Sequence, residues 1–276
     1  MALVNIPFGF MAPLGDLLLD QYGDDVGVAL SLRKLRSVYS GPAIQILRDS
    51  DSTAQDIYFS GEDLDTGAIN TFCSGTVCSI IKLYDQSGNG NDYGDDNGPI
   101  IYSGSVRTSR GKATMDFRSS TGEALHYSGS TGYAYSGSYS IYAVTTGATA
   151  QGYMFGGSGA GSRPAVICNY VGSSMEWYNT ARQTFVASPS TTEVQQLSAI
   201  HRALPYNSTT GSYSGSQAFA ATDFVYGTQD LEAIGGSSPT GDYFKGYISE
   251  FVLYIEDKST DNTGILDNQN NYYSMY

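Results

Sequence analysis

Charged residues are scarce in this chain, and basic residues are the scarcest. Only 15% of the 276 residues are charged, with 14 Lys and Arg against 27 Asp and Glu, which gives a net charge of −13. Binding to phosphate needs a clustered basic face, and the longest basic run is Arg33-Lys34 with Arg36 close by. We therefore expect no nucleic-acid partner and no attraction to a membrane surface, while neutral glycans and protein surfaces stay open as partners.

Long apolar runs are also missing. No run reaches the roughly 18 residues of a membrane-spanning helix. Residues 1–22 are mildly apolar, but they have no basic start, and Pro7, Pro13 and Asp16 interrupt them, which makes a poor secretion signal. On this ground we expect a protein that is made in the cytosol and does not use the standard secretion route.

Cysteine is rare, and its count of three is odd. Cys73 and Cys78 enclose four residues and could close a small ring, whereas Cys168 stands apart. An odd count argues against a disulfide framework, and a cytosolic origin favours thiols, so a disulfide and free thiols stay equal alternatives. Neither His126 nor His201 has a nearby ligand partner, and no second cysteine pair exists. We expect no metal and no cofactor.

Glycine and aromatic residues are abundant, with 33 Gly, 23 Tyr and 11 Phe. Short apolar segments separated by turn signals recur about every 8–12 residues, as in a sandwich or barrel. Residues 138–144 alternate polar and apolar side chains, which is the period of a half-buried strand. Residues 263–276 form a polar helical segment. We predict one domain over residues 25–276, preceded by an N-terminal arm over residues 1–24.

The arm concentrates leucine at Leu14, Leu17, Leu18 and Leu19. These residues could form one or two helical turns, but a stretch this short cannot bury its own apolar side chains. Each large side chain left in water forgoes roughly 1.5–3 kcal/mol. The arm must therefore either cover the sandwich or dock on another subunit, and we expect docking.

Polar side chains follow one predicted strand, at Tyr84, Asp85, Gln86 and Asn89. An aromatic ring, amides and a carboxylate suit the binding of a polar ligand. The same residues equally suit a turn that satisfies its own backbone groups.

A carboxylate stands beside the only tryptophan of the chain, in the run Glu176, Trp177 and Tyr178. This pattern suits a glycosidase nucleophile or a surface on which a sugar ring stacks. A retaining glycosidase needs a second carboxyl group about 5–5.5 Å from the first, and the sequence alone does not pair Glu176 with one.

Three motifs resemble the catalytic domain of fungal family 54 arabinofuranosidases. They are the Ser40-Gly41-Pro42 strand, the Cys73-x4-Cys78 loop and the turn that begins with Tyr84-Asp85-Gln86-Ser87-Gly88. The resemblance covers residues 28–95 well and the remainder loosely. It implies an all-β, concanavalin A-like jelly-roll β-sandwich with a short N-terminal arm and a short C-terminal helix.

The catalytic positions of that family are only partly kept. Met175-Glu176 resembles its nucleophile motif, but the general-acid position directly after Ile234-Gly235-Gly236 is Ser237. Serine cannot protonate a leaving group at neutral pH, so a contribution of roughly 10²–10⁴-fold would be lost. Asp242 could substitute only if its loop bends back. The vicinal Cys-Cys pair of that family is also replaced, near Tyr153-Met154. Both departures predict that the sandwich is kept and the hydrolase is not.

The chain also resembles laminin-G/concanavalin A-like domains of bacteriophage virion proteins. The motifs that extend this resemblance from end to end lie at residues 17–22, 31–35, 244–250 and 270–276. The resemblance implies a non-enzymatic structural protein located in the virion, on capsid or tail, as a homo-oligomer or in many copies. It would contact other virion proteins and bind a host-surface glycan.

We therefore expect such a virion protein, with the leucines of the arm as its docking residues. The alternatives are a family 54-like α-L-arabinofuranosidase, with Glu176 and Asp242 as its carboxyl pair, and a free-standing lectin.

Overall fold

The structure, a computed structural model, describes residues 17–117, 122–129, 132–147, 152–156, 165–168, 174–179, 181–186, 193–203, 208–222, 229–236 and 243–276. The helices of this part are α1 (Leu18–Tyr22), α2 (Thr66–Phe72) and α3 (Asn262–Tyr273). Its strands are β1 (Val26–Ser31), β2 (Ile44–Arg48), β3 (Ala54–Ile57), β4 (Phe59–Ser60), β5 (Asp63–Leu64), β6 (Val77–Leu83), β7 (Tyr93–Gly94), β8 (Ile100–Ser103), β9 (Thr108–Ser109), β10 (Lys112–Ala113), β11 (Met115–Asp116), β12 (Leu125–Tyr127), β13 (Tyr133–Tyr135), β14 (Tyr139–Thr146), β15 (Gly152–Gly156), β16 (Ala165–Cys168), β17 (Met175–Asn179), β18 (Ala181–Val186), β19 (Val194–Arg202), β20 (Ser208–Tyr213), β21 (Ser216–Thr222), β22 (Gln229–Leu231), β23 (Ala233–Ile234) and β24 (Tyr247–Tyr254).

The long strands form two antiparallel sheets. In sheet I, β1 and β11 pair with one side of β24, β14 pairs with its other side, and β19, β20 and β21 follow in that order. Sheet II runs β3, β2 and β6, then β7, β12, β23, β15, β16, β17 and β18. β8 pairs with both β6 and β11 and so links the two sheets at one corner. The predicted all-β sandwich is confirmed.

The main core lies between the two sheets. Ile248, Phe251 and Leu253 of β24 point into it. Val252 and Tyr254 point to the opposite face and are equally buried, because successive side chains of a strand alternate in direction. Sheet I is therefore covered on both faces, which explains why β14 and β24 are nearly devoid of exposed positions.

Helices α1 and α3 cover the outer face of sheet I. Leu18 and Leu19 of α1 pack with Ile265 and Leu266 of α3 against the outward side chains of the sheet, among them Tyr142. The arm over this stretch is thus a cap on its own domain. None of the described helices is long and apolar enough to span a membrane.

The docking prediction for Leu17, Leu18 and Leu19 is wrong. Their exposed fractions are 8%, 0% and 4%, so they offer no surface to a partner. The physical reason is that α3 and sheet I of the same chain supply the apolar surface that these leucines need. Leu14 lies outside the described residues.

A buried ion pair lies beneath α3. Arg33 donates to Glu250 of β24 through Nε at 2.6 Å and Nη2 at 3.1 Å. Ser31 and Gln269 add hydrogen bonds to the same carboxylate at 3.0 and 2.9 Å. Burial alone would raise the pKa of Glu250, but the charge of Arg33 and these hydrogen bonds outweigh it and hold that pKa below its ordinary value.

Candidate active site

Glu176 lies on β17 near one end of sheet II. Its neighbours Met175 and Trp177 belong to the core between the sheets, so alternation places Glu176 on the outer face. Ser174, two residues earlier, is on the same face and donates from Oγ to Glu176 Oε1 at 2.7 Å. Both side chains are less than a tenth exposed. The carboxylate is therefore held in one orientation on the outer face of sheet II.

Strand register places two hydroxyl side chains on the same face as Glu176. Glu176 pairs with Thr184 of β18 on one side and with Ile167 of β16 on the other, and Ile167 pairs with Tyr153 of β15. Directly paired residues of neighbouring strands point to the same face. This row, a strip across four strands, carries Thr184, Glu176 and Tyr153.

Tyr243 extends the strip beyond β15, because it forms an isolated bridge to Tyr153. Three inter-strand spacings place the backbones of Tyr243 and Glu176 about 14 Å apart. The ring of Tyr243 packs over Gly236 and Gly122, where an added Cβ would lie within 3.0 Å of ring carbons. Tyr243 therefore covers the segment that leads to position 237. Ser237 and Asp242 themselves lie outside the described residues.

Trp177 is fully buried. Its ring lies between those of Tyr139, Phe155 and Phe185, with centroids 6.5 Å away in each case. The prediction that Trp177 offers a stacking face to a sugar is therefore contradicted by its direction on the strand, opposite to Glu176. The side chain of Tyr178 lies outside the described part of the chain.

The second predicted ligand segment is a structural turn. Asp85 accepts hydrogen bonds from the backbone N–H of Ala29, Ser87 and Asn91 and from the Ser87 hydroxyl. Burial raises the pKa of this carboxyl group, although the hydrogen bonds oppose the rise. The Asp85 acceptors are thus directed at the turn itself and at β1.

Gln86 and Asn89 fasten the same turn to β1 and the segment after it. Gln86 donates to the carbonyls of Ser31 and Arg33 and accepts from the N–H of Leu35. Asn89 donates to the carbonyl of Val26 at 2.8 Å. Of the two alternatives left open for this segment, the self-satisfying turn describes these residues. The prediction that Asp85 and Gln86 contact a ligand is wrong because both are buried, whereas for the exposed Asn89 it stays a prediction.

Tyr84, at the start of the turn, is partly exposed. It donates to Asp56 Oδ1 at 2.8 Å, and the ammonium group of Lys82 lies 4.7 Å from its ring centroid. Tyr84 follows β6, and five strands of sheet II separate β6 from the strand of Glu176. The structure does not bring the two predicted segments together.

Cys73 and Cys78 are joined by a disulfide, with their Cα atoms 6.0 Å apart. Cys73 follows the last residue of α2, and Cys78 is the second residue of β6. Both are fully buried. The disulfide alternative is thus the one that the structure contains, and it fastens α2 to sheet II.

Sequence reasoning missed Tyr243 and assigned Ser174 and Tyr153 no role beside the candidate nucleophile. Ser174 was accessible from spacing alone, because residues two apart on a strand share a face. Tyr153 and Tyr243 depend on the register between strands that are distant in sequence, for which a single sequence carries no signal.

Fold and site together define an antiparallel β-sandwich domain that presents one oriented carboxylate on the outer face of its second sheet. The model of the family "Alpha-L-arabinofuranosidase B, catalytic" matches residues 26–164, just over half of the chain. The chain belongs to this family.

Curated relatives match over shorter segments. α-L-Arabinofuranosidase B of Emericella nidulans is 43% identical over 76 residues, which is 25% of this chain and 15% of that protein. The enzyme of Aspergillus niger is 38% identical over 93 residues, 32% of this chain and 19% of that protein. The matched segments thus span less than a fifth of these relatives.

Solved structures show the same fold over almost the whole chain. A family 54 α-L-arabinofuranosidase variant soaked with 4-nitrophenyl α-L-arabinofuranoside superposes with a TM-score of 0.71 at 19% identity, covering 92% of this chain and 64% of that one. An arabinofuranosidase complexed with arabinofuranosyl-α-1,2-xylobiose gives a TM-score of 0.67 at 18% identity, with the same coverage.

These findings overturn the functional expectation drawn from the sequence. The matched proteins are arabinofuranosidases of Emericella and Aspergillus, and the matched family model is that of an arabinofuranosidase catalytic domain. The prediction of a bacteriophage virion protein is wrong, and so are the predictions of a non-enzymatic role and of a virion location. The family 54 resemblance, given as the alternative, is the one that the comparisons support.

Proposed function

We propose that this chain is the catalytic domain of an α-L-arabinofuranosidase, with Glu176 as its nucleophile. The observation that carries the proposal is the oriented carboxylate of Glu176 in a chain of the arabinofuranosidase B catalytic family. The substrate would be a glycan that carries terminal α-L-arabinofuranosyl groups, as the names of the relatives indicate.

The chemistry requires two carboxyl groups in different roles. In a retaining reaction Glu176 attacks the anomeric carbon and forms a glycosyl-enzyme, while an acid donates a proton to the leaving oxygen. Water then hydrolyses the glycosyl-enzyme, with the acid acting as base. Ser174 supports the first step because its hydrogen bond to Oε1 fixes the rotamer of the nucleophile.

We assign the acid role to Asp242. Position 237, which follows Ile234-Gly235-Gly236, carries serine, and serine does not donate a proton at neutral pH. Asp242 directly precedes Tyr243, whose bridge to Tyr153 connects it to the register row of Glu176. This position in the sequence, directly before a residue of the register row of Glu176, is the support for the assignment.

Hydrolysis of 4-nitrophenyl α-L-arabinofuranoside tests the nucleophile. We expect turnover by the wild-type chain and a loss of at least about a thousandfold in kcat for Glu176→Gln, because the covalent step disappears. Glu193→Gln is the matched control, since Glu193 is exposed at the start of β19 and pairs with Arg110. An inactive wild-type chain, or an active Glu176→Gln variant, contradicts the proposal.

Two leaving groups test the acid. Nitrophenolate leaves with little protonation, whereas a sugar alkoxide needs a proton. Asp242→Asn should therefore change aryl arabinofuranoside hydrolysis little but slow release of arabinose from an oligosaccharide by about 10²–10⁴-fold. Ser237→Ala should leave both rates unchanged. Equal loss on both substrates, or loss with Ser237→Ala instead, would reject Asp242 as the acid.

A further inference from the structure

A cavity of about 550 Å³ lies between α1, α3, the turn from β4 to β5, and β10. We call it the polar cleft, and its wall includes Tyr22, Glu62, Lys112, Asp267 and Asn271. α1 and α3 cover the outer face of sheet I, whereas Glu176 lies on the outer face of sheet II. The polar cleft is therefore on the opposite side of the sandwich from the candidate active site.

The floor of the polar cleft is fixed before any ligand arrives. Lys112 Nζ and the Tyr272 hydroxyl both donate to Asp63 Oδ1, at 2.9 and 2.5 Å. The Tyr272 ring lies 3.9 Å from the Lys112 ammonium and 4.9 Å from the Arg33 guanidinium, measured to its centroid. Arg33 is held in turn by Glu250. Groups that are already ordered lose little conformational entropy when they bind a ligand.

Hydrogen-bond donors and hydrogen-bond acceptors both surround this floor. The carboxylates of Glu62 and Asp267 accept, the ammonium of Lys112 donates, and the amide of Asn271 does both. Sugar hydroxyls also donate and accept, so a polyhydroxylated ligand matches this wall. An apolar ligand would bury these groups without partners, which is costly.

Two other ligand classes, anions and metal ions, fit the polar cleft poorly. An anion would meet the carboxylates of Glu62, Asp63 and Asp267 as well as the net charge of −13. A bound metal ion has no support, because nowhere in the described ranges do three His, Cys, Asp or Glu side chains group closely enough to hold one. A neutral saccharide meets neither of these obstacles.

We propose that the polar cleft is a second, non-catalytic binding site for neutral saccharide units. This proposal rests on the proposed function in one respect. It takes these units to belong to the arabinofuranosyl-substituted glycan on which Glu176 acts. A polymer held at the polar cleft is present at the active site at a raised effective concentration. The site would therefore assist hydrolysis of polymers and leave small substrates unaffected.

Calorimetric titration with neutral arabinoxylan oligosaccharides tests the site, using the full chain with Glu176→Gln to prevent turnover. Asp267→Ala and Asn271→Ala remove exposed side chains of α3 and should each weaken binding by about tenfold, the usual effect of losing a hydrogen bond to a strongly polar group. Thr263→Ala, one turn earlier on the same exposed face of α3 and outside the polar cleft, should leave the affinity unchanged.

Activity of the chain with an intact Glu176 separates this proposal from the proposed function. Asp267→Ala should raise KM for arabinoxylan and leave hydrolysis of the aryl arabinofuranoside at the wild-type rate. If Asp267→Ala and Asn271→Ala bind oligosaccharides as tightly as the parent, or if the parent binds none, the polar cleft is not a saccharide site. If binding depends on both residues while the chain hydrolyses nothing, the saccharide site stands and the proposed function fails.

Discussion

Arg33 and Glu250 form a buried ion pair beneath α3, and Gln269 of α3 donates a hydrogen bond to Glu250. Removing one partner of a buried pair leaves an uncompensated charge and costs about 3–5 kcal/mol. We expect Glu250→Ala to lower the free energy of unfolding by that amount in chemical denaturation. Glu193→Ala removes an exposed partner of Arg110 and should change it by less than about 1 kcal/mol. Equal effects of the two substitutions would contradict the importance of the buried pair.

His201 gives the fold a sensitivity to acid. It is fully buried on β19, contacts Thr209 at 3.2 Å and stacks near Tyr139. Burial lowers the pKa of His201 from 6.5 to about 4, against weaker opposing effects of Ser208 and Asp257. Between these two values the unfolded chain binds a proton that the folded chain excludes, so stability falls as pH drops from 6.5 towards 4.

The test compares the wild-type chain with His201→Gln, whose side chain does not titrate. The difference in free energy of unfolding should change by up to about 1.4 kcal/mol per pH unit between pH 6.5 and 4 and be flat above pH 7. Parallel stability curves for the two proteins across this range would show that His201 is not responsible.

Among the elements, α1 is the one whose predicted role, docking on a partner, differs from its role as a cap in the structure. Leu18 is fully buried against α3 and sheet I, so Leu18→Ala should cost about 2–5 kcal/mol in free energy of unfolding. Val38 is 80% exposed, and Val38→Ala should have almost no effect. A Leu18→Ala chain that melts at the wild-type temperature would mean that α1 does not cap the sandwich.

Strands with strong apolar alternation could be predicted closely, and polar elements could not. The strand predicted at residues 138–144 is β14 at Tyr139–Thr146, and the strand predicted to precede Tyr84 is β6 at Val77–Leu83. α2 was missed because Thr66–Phe72 carries only one fully buried residue, Ile69. Strand β20 was missed because Ser, Thr and Gly dominate it, and β21 was missed because small residues, chiefly Ala, dominate it. Pairing makes them strands, β20 with β19 and β21 with β20.

One residue of the candidate site, Glu176, could be predicted from the sequence, but the surface around it could not. Glu176 stands out in the sequence beside Trp177, but the two face opposite sides of one strand. The turn from Tyr84 to Asn89 contains the same side chains that a ligand site would, and only the position of β1 shows that they bind backbone groups instead. Side-chain type thus indicates hydrogen-bonding capacity, and the fold decides which partner uses it.

At the scale of the whole molecule, the net charge of −13 should govern the choice among polymeric substrates. Acidic polysaccharides would be repelled at low ionic strength, and neutral ones would not. We expect release of arabinose from a uronic-acid polymer to speed up as salt rises from about 0.01 to 0.15 M, where the Debye length shrinks from about 30 to 8 Å. Release from neutral arabinoxylan should change little, and an equal salt response of both polymers would reject this electrostatic selection.

The burial of Trp177 provides the molecule with an internal optical reporter. It is the only tryptophan, it is surrounded by aromatic rings, and it directly follows Glu176 on β17. Its fluorescence should be blue-shifted in the folded chain, and loss of order in β17 should shift the emission to longer wavelengths. One spectroscopic signal, without any label, would thus follow the integrity of the strand that carries the nucleophile through every titration and variant considered above.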